Sequence, residues 1–247
     1  MGGDAIADIL LGKSSPGGKL PISLPYSVGQ IPVFYNHKPS GGRSHWRGTF
    51  HPPPNPPNQG MLIFPKKGIY TDLDTCEPLY PFGFGLSYTS FEIKDFSLRL
   101  KGQPSTTPKG MLKVLVSDTV RVSVVVRNVG ERSGDEVVQL YVGVVGASVT
   151  RPVKEMKGFK RTPLLSPGES LRVTFHLPVA MAGYYGRDMR FGLEGGTKLS
   201  VMIGTSSASI LHTQQIEVEG SKKGLVEIQR VFECPFEVCK DDTKAAL

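Results

Sequence analysis

The sequence predicts a mainly β chain: an antiparallel sandwich of two packed sheets, preceded by a short helix and strand and a Pro-rich loop. Three observations carry this. Apolar and polar residues alternate strictly in several runs after about Met111, turn signals separate those runs at short intervals, and 29 glycines and 20 prolines in 247 residues are more than a helical chain of this size usually holds. An apolar share of 39% is enough for a buried core at this length.

The first element is a short helix. Asp4 can cap it, Ile6, Ile9 and Leu10 form its apolar face, and Gly12 stops it. An isolated helix needs roughly 12 to 15 residues to hold in water, so this one leans on neighbours. "GGKLPISLP" then offers one brief strand around Leu20, Ile22 and Leu24. A lone helix and strand enclose no core, so the chain reads as beginning in mid-domain. Phe50 to Gly60, "FHPPPNPPNQG", reads as a polyproline-like loop: its prolines remove ladder donors and hold their neighbours extended. "LYPFGFGLSY", from Leu79 to Tyr88, is a dense aromatic turn in which Pro81, Gly83 and Gly85 permit a tight path and Tyr80, Phe82, Phe84 and Tyr88 supply large apolar faces.

Beyond it the strands are explicit. Val120, Val122, Val124 and Val126 alternate with Arg121, Ser123 and Arg127, interrupted only at Val125. Val138, Leu140 and Val142 mark a second strand, Leu171, Val173, Phe175 and Leu177 a third, and Leu199, Val201 and Ile203 a fourth. "NVGERSGDE", "LSPGES" and "LEGGTK" supply the turns. Residues 96–218 therefore read as an immunoglobulin- or fibronectin-III-like sandwich without the Cys-Trp-Cys set of antibody domains. Residues 219–247 read as a tail open to disorder.

The net charge of +7 comes from Lys and Arg scattered through strands and turns, with lysine doublets only at Lys66-Lys67 and Lys222-Lys223, which argues against nucleic acid as partner. Cys76 stands alone and Cys234 and Cys239 sit in "CPFEVC"; three thiols without histidines at ligand spacing read as free thiols, and no metal or cofactor site is expected. No apolar run reaches membrane-spanning length, and "MGGDAIADILLGKSSPGG" has no basic segment leading into a signal-length apolar run, so no export signal or compartment is legible. Neither a nucleophile elbow nor a phosphate loop occurs. Asp72, Asp74 and Glu77 are clustered acids that fit either a solvated loop or paired carboxylates.

"GGDAIADILLGKSSPGGKLPISLPYSVGQIPVFYNHKPSGGR" followed by "EPLYPFGFGLSYTSFEIKDF" resembles the end of the second, α/β sandwich domain of glycoside hydrolase family 3, the β-glucosidases and β-xylosidases. "VRVSVVVRNVGERSGDEVVQLYV", "TRPVKEMKGFKRTPLLSPGESLRVTFHL" and "GYYGRDMRFGLEGGTKLSVMIGTSS" resemble the fibronectin-III-like domain that ends many members. Two stretches depart from the family pattern: the Pro-rich insert at about 49–69 and the tail from Gly220.

The resemblance implies residues 1–95 as the α/β remnant, 96–218 as the sandwich, and hydrolysis of a β-linked glucoside or xyloside by the whole enzyme. In the family the nucleophile stands on an N-terminal (β/α)8 barrel and the acid/base carboxylate comes from the second domain, ahead of the part matched here. No catalytic residue is therefore expected in this chain, which reads as a truncated product or fragment, inactive alone and needing the barrel in cis or in trans. A non-catalytic module that binds carbohydrate or protein is the alternative. The loop "YNHKPSGGRSHW" is the candidate sugar contact: Tyr35, Asn36, His37, Arg43 and Trp46 combine donors, acceptors and stacking faces, while interface packing explains the same residues. Full-length relatives are often secreted.

Overall fold

A computed structural model describes residues 2–39, 77–102, 111–220 and 225–227. The Pro-rich stretch, the three cysteines, Arg43, Trp46, Asp72 and Asp74 lie outside these residues.

Helix α1, Gly2–Leu10, forms as its spacing predicts, and Gly12 stops it in the left-handed region at φ 69°. It buries none of its residues. The strand expected around Leu20 to Leu24 is reduced to a single antiparallel bridge, Leu24 to Tyr80. Prolines at 21 and 25 lack the N–H groups that would extend a ladder.

The sandwich begins at β1, Phe91–Leu100, ahead of residue 96. A bulge at Asp95, φ 53°, shifts register between Lys94 and Ser97. Ile93 and Leu98 are consequently both buried despite their odd spacing, which hides this strand from a period-two reading. β2 is Leu112–Val114, β3 Thr119–Asn128, β4 Val137–Val145, β5 Glu155–Arg161 and β6 Ser170–Pro178. β7 is Tyr184–Tyr185, β8 Phe191–Glu194, β9 Lys198–Gly204 and β10 Ile210–Val218. Within the stretch expected to be a tail, Leu225–Glu227 forms β11 and pairs with β8.

A three-stranded sheet, β1-β3-β6, faces a five-stranded sheet, β2-β10-β9-β4-β5; β11-β8-β7 form a small third sheet. Pairing is antiparallel except between β2 and β10, which run parallel. The order reproduces the two-sheet arrangement of immunoglobulin-like sandwiches. Val120, Val122, Val124 and Val126 of β3 are fully buried in one core with Val138, Leu140 and Val142 of β4 and Leu199, Val201 and Ile203 of β9. Each such side chain contributes roughly 1.5–3 kcal/mol by leaving water. β5 closes one edge with Lys157, Lys160 and Arg161, charges that discourage edge-to-edge pairing.

Asn128 ends β3 and organises the turn after it. Its amide nitrogen donates to the carbonyls of Arg132, 2.7 Å, and Leu165, 2.8 Å, while its oxygen accepts from Thr89, 2.6 Å, and from the Gly130 backbone, 3.1 Å. A wholly buried amide is tolerable only with its bonds met in this way.

Candidate functional site

β4 is buried on both faces over most of its length, although only Val138, Leu140 and Val142 point into the core. The other face carries Gln139 and Tyr141, which a solvated sheet face would leave wet. They are covered by two segments from the first part of the chain. Residues 20–24 and 80–84 bind each other through Leu20 N–H to the Phe84 carbonyl, 2.8 Å, Gly83 N–H to Leu20, 2.8 Å, and the reciprocal pair between Leu24 and Tyr80, 2.8 and 3.3 Å. Phe82 is thereby presented to the sheet and stacks on Tyr35, with ring centroids 4.2 Å apart. Tyr35 meets Tyr141 edge-on at 5.9 Å.

Polar groups fix the register of this contact. Gln139 donates to the carbonyls of Gly83, 3.0 Å, and Thr205, 2.8 Å, and accepts from the Tyr141 hydroxyl. The Ser207 N–H donates to the Phe82 carbonyl at 2.9 Å. Gly83 lies at φ 78°, and a Cβ there would stand 2.8 Å from the Gln139 amide carbon, so both conformation and space demand glycine. Burial, aided by Tyr35, holds the Tyr141 phenol well above its ordinary pKa, so the hydroxyl stays a proton donor.

A second band of contacts lies to one side. Lys19 pairs with Glu136 at 2.7 Å, both side chains largely out of water, and Arg161 pairs with Asp135 beside it. Tyr88 donates to the Ile9 carbonyl, 2.8 Å, and Arg132 donates to the Gly12 carbonyl, 3.2 Å. The aromatic turn joins the opening segment to the sandwich through backbone and ring contacts, and Lys19 of the opening segment adds an ion pair.

Of the candidate loop, Tyr35, Asn36 and His37 are described, and all three are half-buried. The Tyr35 hydroxyl accepts from the Met156 N–H at 3.1 Å, and the His37 carbonyl from Val153 at 3.0 Å, so the loop runs along the start of β5. Arg43 and Trp46 are outside the described residues. Glu77 accepts through its backbone carbonyl from Gln30, 2.9 Å. Between this loop and residues 144–154 opens a groove of about 1390 Å³ lined by Phe34, Tyr35, His37, Arg151, Lys154 and Met202, among others. Gln139, Tyr141 and Asn128 were not singled out from sequence. The signal for the first two was present: a nearly unbroken apolar run, "VVQLYVGVV", implies a strand covered on both sides.

Sandwich and strip together form a module in which a fibronectin-III-like sandwich is covered on its β4 face by segments from the first part of the chain. The glycosyl hydrolase family 3 C-terminal domain matches residues 1–88, and the fibronectin type III-like domain matches residues 136–207. The periplasmic β-glucosidase of Salmonella typhimurium is 40% identical over 210 residues, covering 85% of this chain and 24% of that protein. A β-xylosidase of Formosa agariphila is 37% identical over 219 residues, covering 88% and 25%. The crystal structure of a β-glucosidase from Listeria innocua superposes with a TM-score of 0.70 at 35% identity over 90% of this chain and 26% of that one. The chain belongs to glycoside hydrolase family 3 as its C-terminal portion and spans about a quarter of the length of these relatives.

Proposed function

We propose that these residues are the structural C-terminal quarter of a β-glycosidase that hydrolyses a β-linked glucoside or xyloside, with the catalytic barrel supplied in cis or in trans and no cofactor involved. The observation that supports this best is the interface itself. A strip of the family's α/β domain is locked to the sandwich by Phe82, Tyr35 and Gln139, so the module holds the end of that domain in place. Its role is to brace the domain that follows the barrel.

The test joins this chain to the N-terminal three quarters of the Salmonella relative. The fusion is expected to hydrolyse an aryl β-glucoside, and the 247 residues alone are expected not to. A folded but inactive fusion, or hydrolysis by the chain alone, overturns the reading.

Within it, Tyr35 belongs to the interface, because its ring and hydroxyl are already engaged. Contact with sugar is proposed for Asn36, His37, Arg43 and Trp46. Arg43→Ala is expected to raise KM of the fusion severalfold; unchanged KM and kcat remove the idea. The alternative, a carbohydrate-binding module, draws on Phe34 and His37 at the groove and predicts that the isolated chain sediments with insoluble glucan or xylan.

A further inference from the structure

The outer face of β1-β3-β6, turned away from the core, is strongly cationic. Register places Arg99, Arg121 and His176 side by side in one row across the three strands, and Lys94, Val125 and Arg172 in another. Arg127 follows Val125 on the same face, opposite Glu92. Like charges directly opposite one another weaken a sheet, so setting Arg99 against Arg121 carries a cost that an anion would offset. The carboxylates on these three strands are Glu92, which pairs with Lys94 at 3.1 Å, and Asp95 in the bulge. Arg121, Arg127 and Arg172 pair with no carboxylate among the described residues, and the Nε of Arg121, out of water, meets no partner there. β5 instead meets its cations with acids, Arg161 with Asp135 and Lys157 with Glu155.

The shape of this charge narrows what it can meet. From Arg121 to Arg127 the strip runs roughly 20 Å along the strands, and three strands make it roughly 10 Å wide. Ser97, Ser123 and Thr174 form the row between the charged ones, with the Ser97 and Ser123 hydroxyls bonded at 2.8 Å, so cations flank a band of short polar side chains. Apart from His176 no aromatic ring stands in these rows, which leaves nucleic-acid bases nothing to stack on. Val125 is their one apolar side chain, too little to enter a bilayer surface.

We propose that this strip binds a linear polysaccharide carrying uronic acid units, whose carboxylates meet Arg121, Arg127 and Arg172. Anions repeated along one polymer match charge spread over the length of a sheet, which a single small anion does not. The choice of a saccharide among polyanions rests on the function proposed above. The surface is separate from the β4 face and from the groove beside Tyr35, and it needs no aromatic platform, because charge supplies the attraction.

The full 247-residue chain is titrated with polygalacturonate and, as a control of identical backbone, with its methyl-esterified form, at low and high salt. Binding to the acid form alone, weakening as salt rises, is expected. Arg127→Gln combined with Arg172→Gln is expected to weaken it about fivefold, the effect of two exposed ionic contacts. Lys113→Gln combined with Lys198→Gln removes the same charge from the other sheet and is expected to change binding by less than about twofold. If the arginine variant does not fold, the esterified polymer decides: equal binding of both forms overturns the inference. Absence of binding to polygalacturonate at low salt, equal loss in the two double variants, or tighter binding of polyglutamate, poly(A) or phosphatidylserine vesicles overturns it too. Binding that appears only after Glu233, Glu237, Asp241 and Asp242 are replaced by their amides assigns the strip to the chain's own end and also overturns it. None of these readouts needs hydrolysis, so this inference and the proposed function fail separately.

Discussion

The sandwich and the N-terminal strip spend their apolar residues in opposite ways. Val120, Val122, Val124 and Val126 of β3, Val138, Leu140 and Val142 of β4 and Leu199, Val201 and Ile203 of β9 face one another and lose nearly all contact with water. In the strip, Leu10 is 76% exposed, Val28 is 87% exposed, and α1 contributes nothing to a core. The helix is amphipathic, and among the described residues nothing buries its apolar face. One region is finished by its own sequence, whereas the other is held by contacts to the sandwich such as those of Tyr35, Phe82, Lys19 and Gly12. Buried and exposed apolar residues are thus separated along the chain.

The largest expected effect tests that separation directly. Leu140→Ala should cost about 2–5 kcal/mol of unfolding free energy, because it removes a buried side chain from a packed core and leaves a cavity. Leu10→Ala, the same chemistry on the strip, should stay within about 0.5 kcal/mol. Urea unfolding of both variants measures the contrast, and equal losses would erase it.

A smaller effect is expected where the two regions meet. Glu136→Gln leaves Lys19 charged, mostly out of water and facing a neutral amide, at a cost of about 2 kcal/mol. The same change should raise proteolysis of the strip before the sandwich unfolds. Coincident loss of both would mean that the regions are one cooperative unit.

The smallest is Tyr35→Phe. It keeps the stack on Phe82 and removes only the acceptor for the Met156 N–H, about 1 kcal/mol. A thermal shift matching that of Leu140→Ala would assign the Tyr35 hydroxyl a larger part than one hydrogen bond.

The sandwich was legible because β3 and β6 bury alternating residues against a single opposing sheet, the condition under which period two reports a face. β1 was obscured by its bulge, and the parallel pairing of β2 depends on three residues too short to show a period. The candidate loop was legible as a set of residue types, but its role in packing was not. Tyr35, Phe82 and Tyr141 are far apart in sequence, and what brings them together is the backbone pairing of Leu20 and Leu24 with the aromatic turn. The short strand expected there fails because its prolines cannot donate, while the aromatic turn supplies the partner that two residues need.

Gln139 binds Gly83 on one side and Thr205 on the other, with Tyr141 between. Gly83 and Thr205 lie 56 and 66 residues away from Gln139, and Tyr35 meets Met156 across a separation of 121 residues. Closing such loops costs entropy before any contact repays it, whereas the β3–β6 and β4–β9 ladders can form within the sandwich alone. The order of assembly is therefore written into one amide side chain. We expect refolding in two kinetic steps, sandwich first and strip second, with Gln139→Ala slowing or abolishing only the second; a single phase followed by both Tyr141 fluorescence and strip protection would refute it.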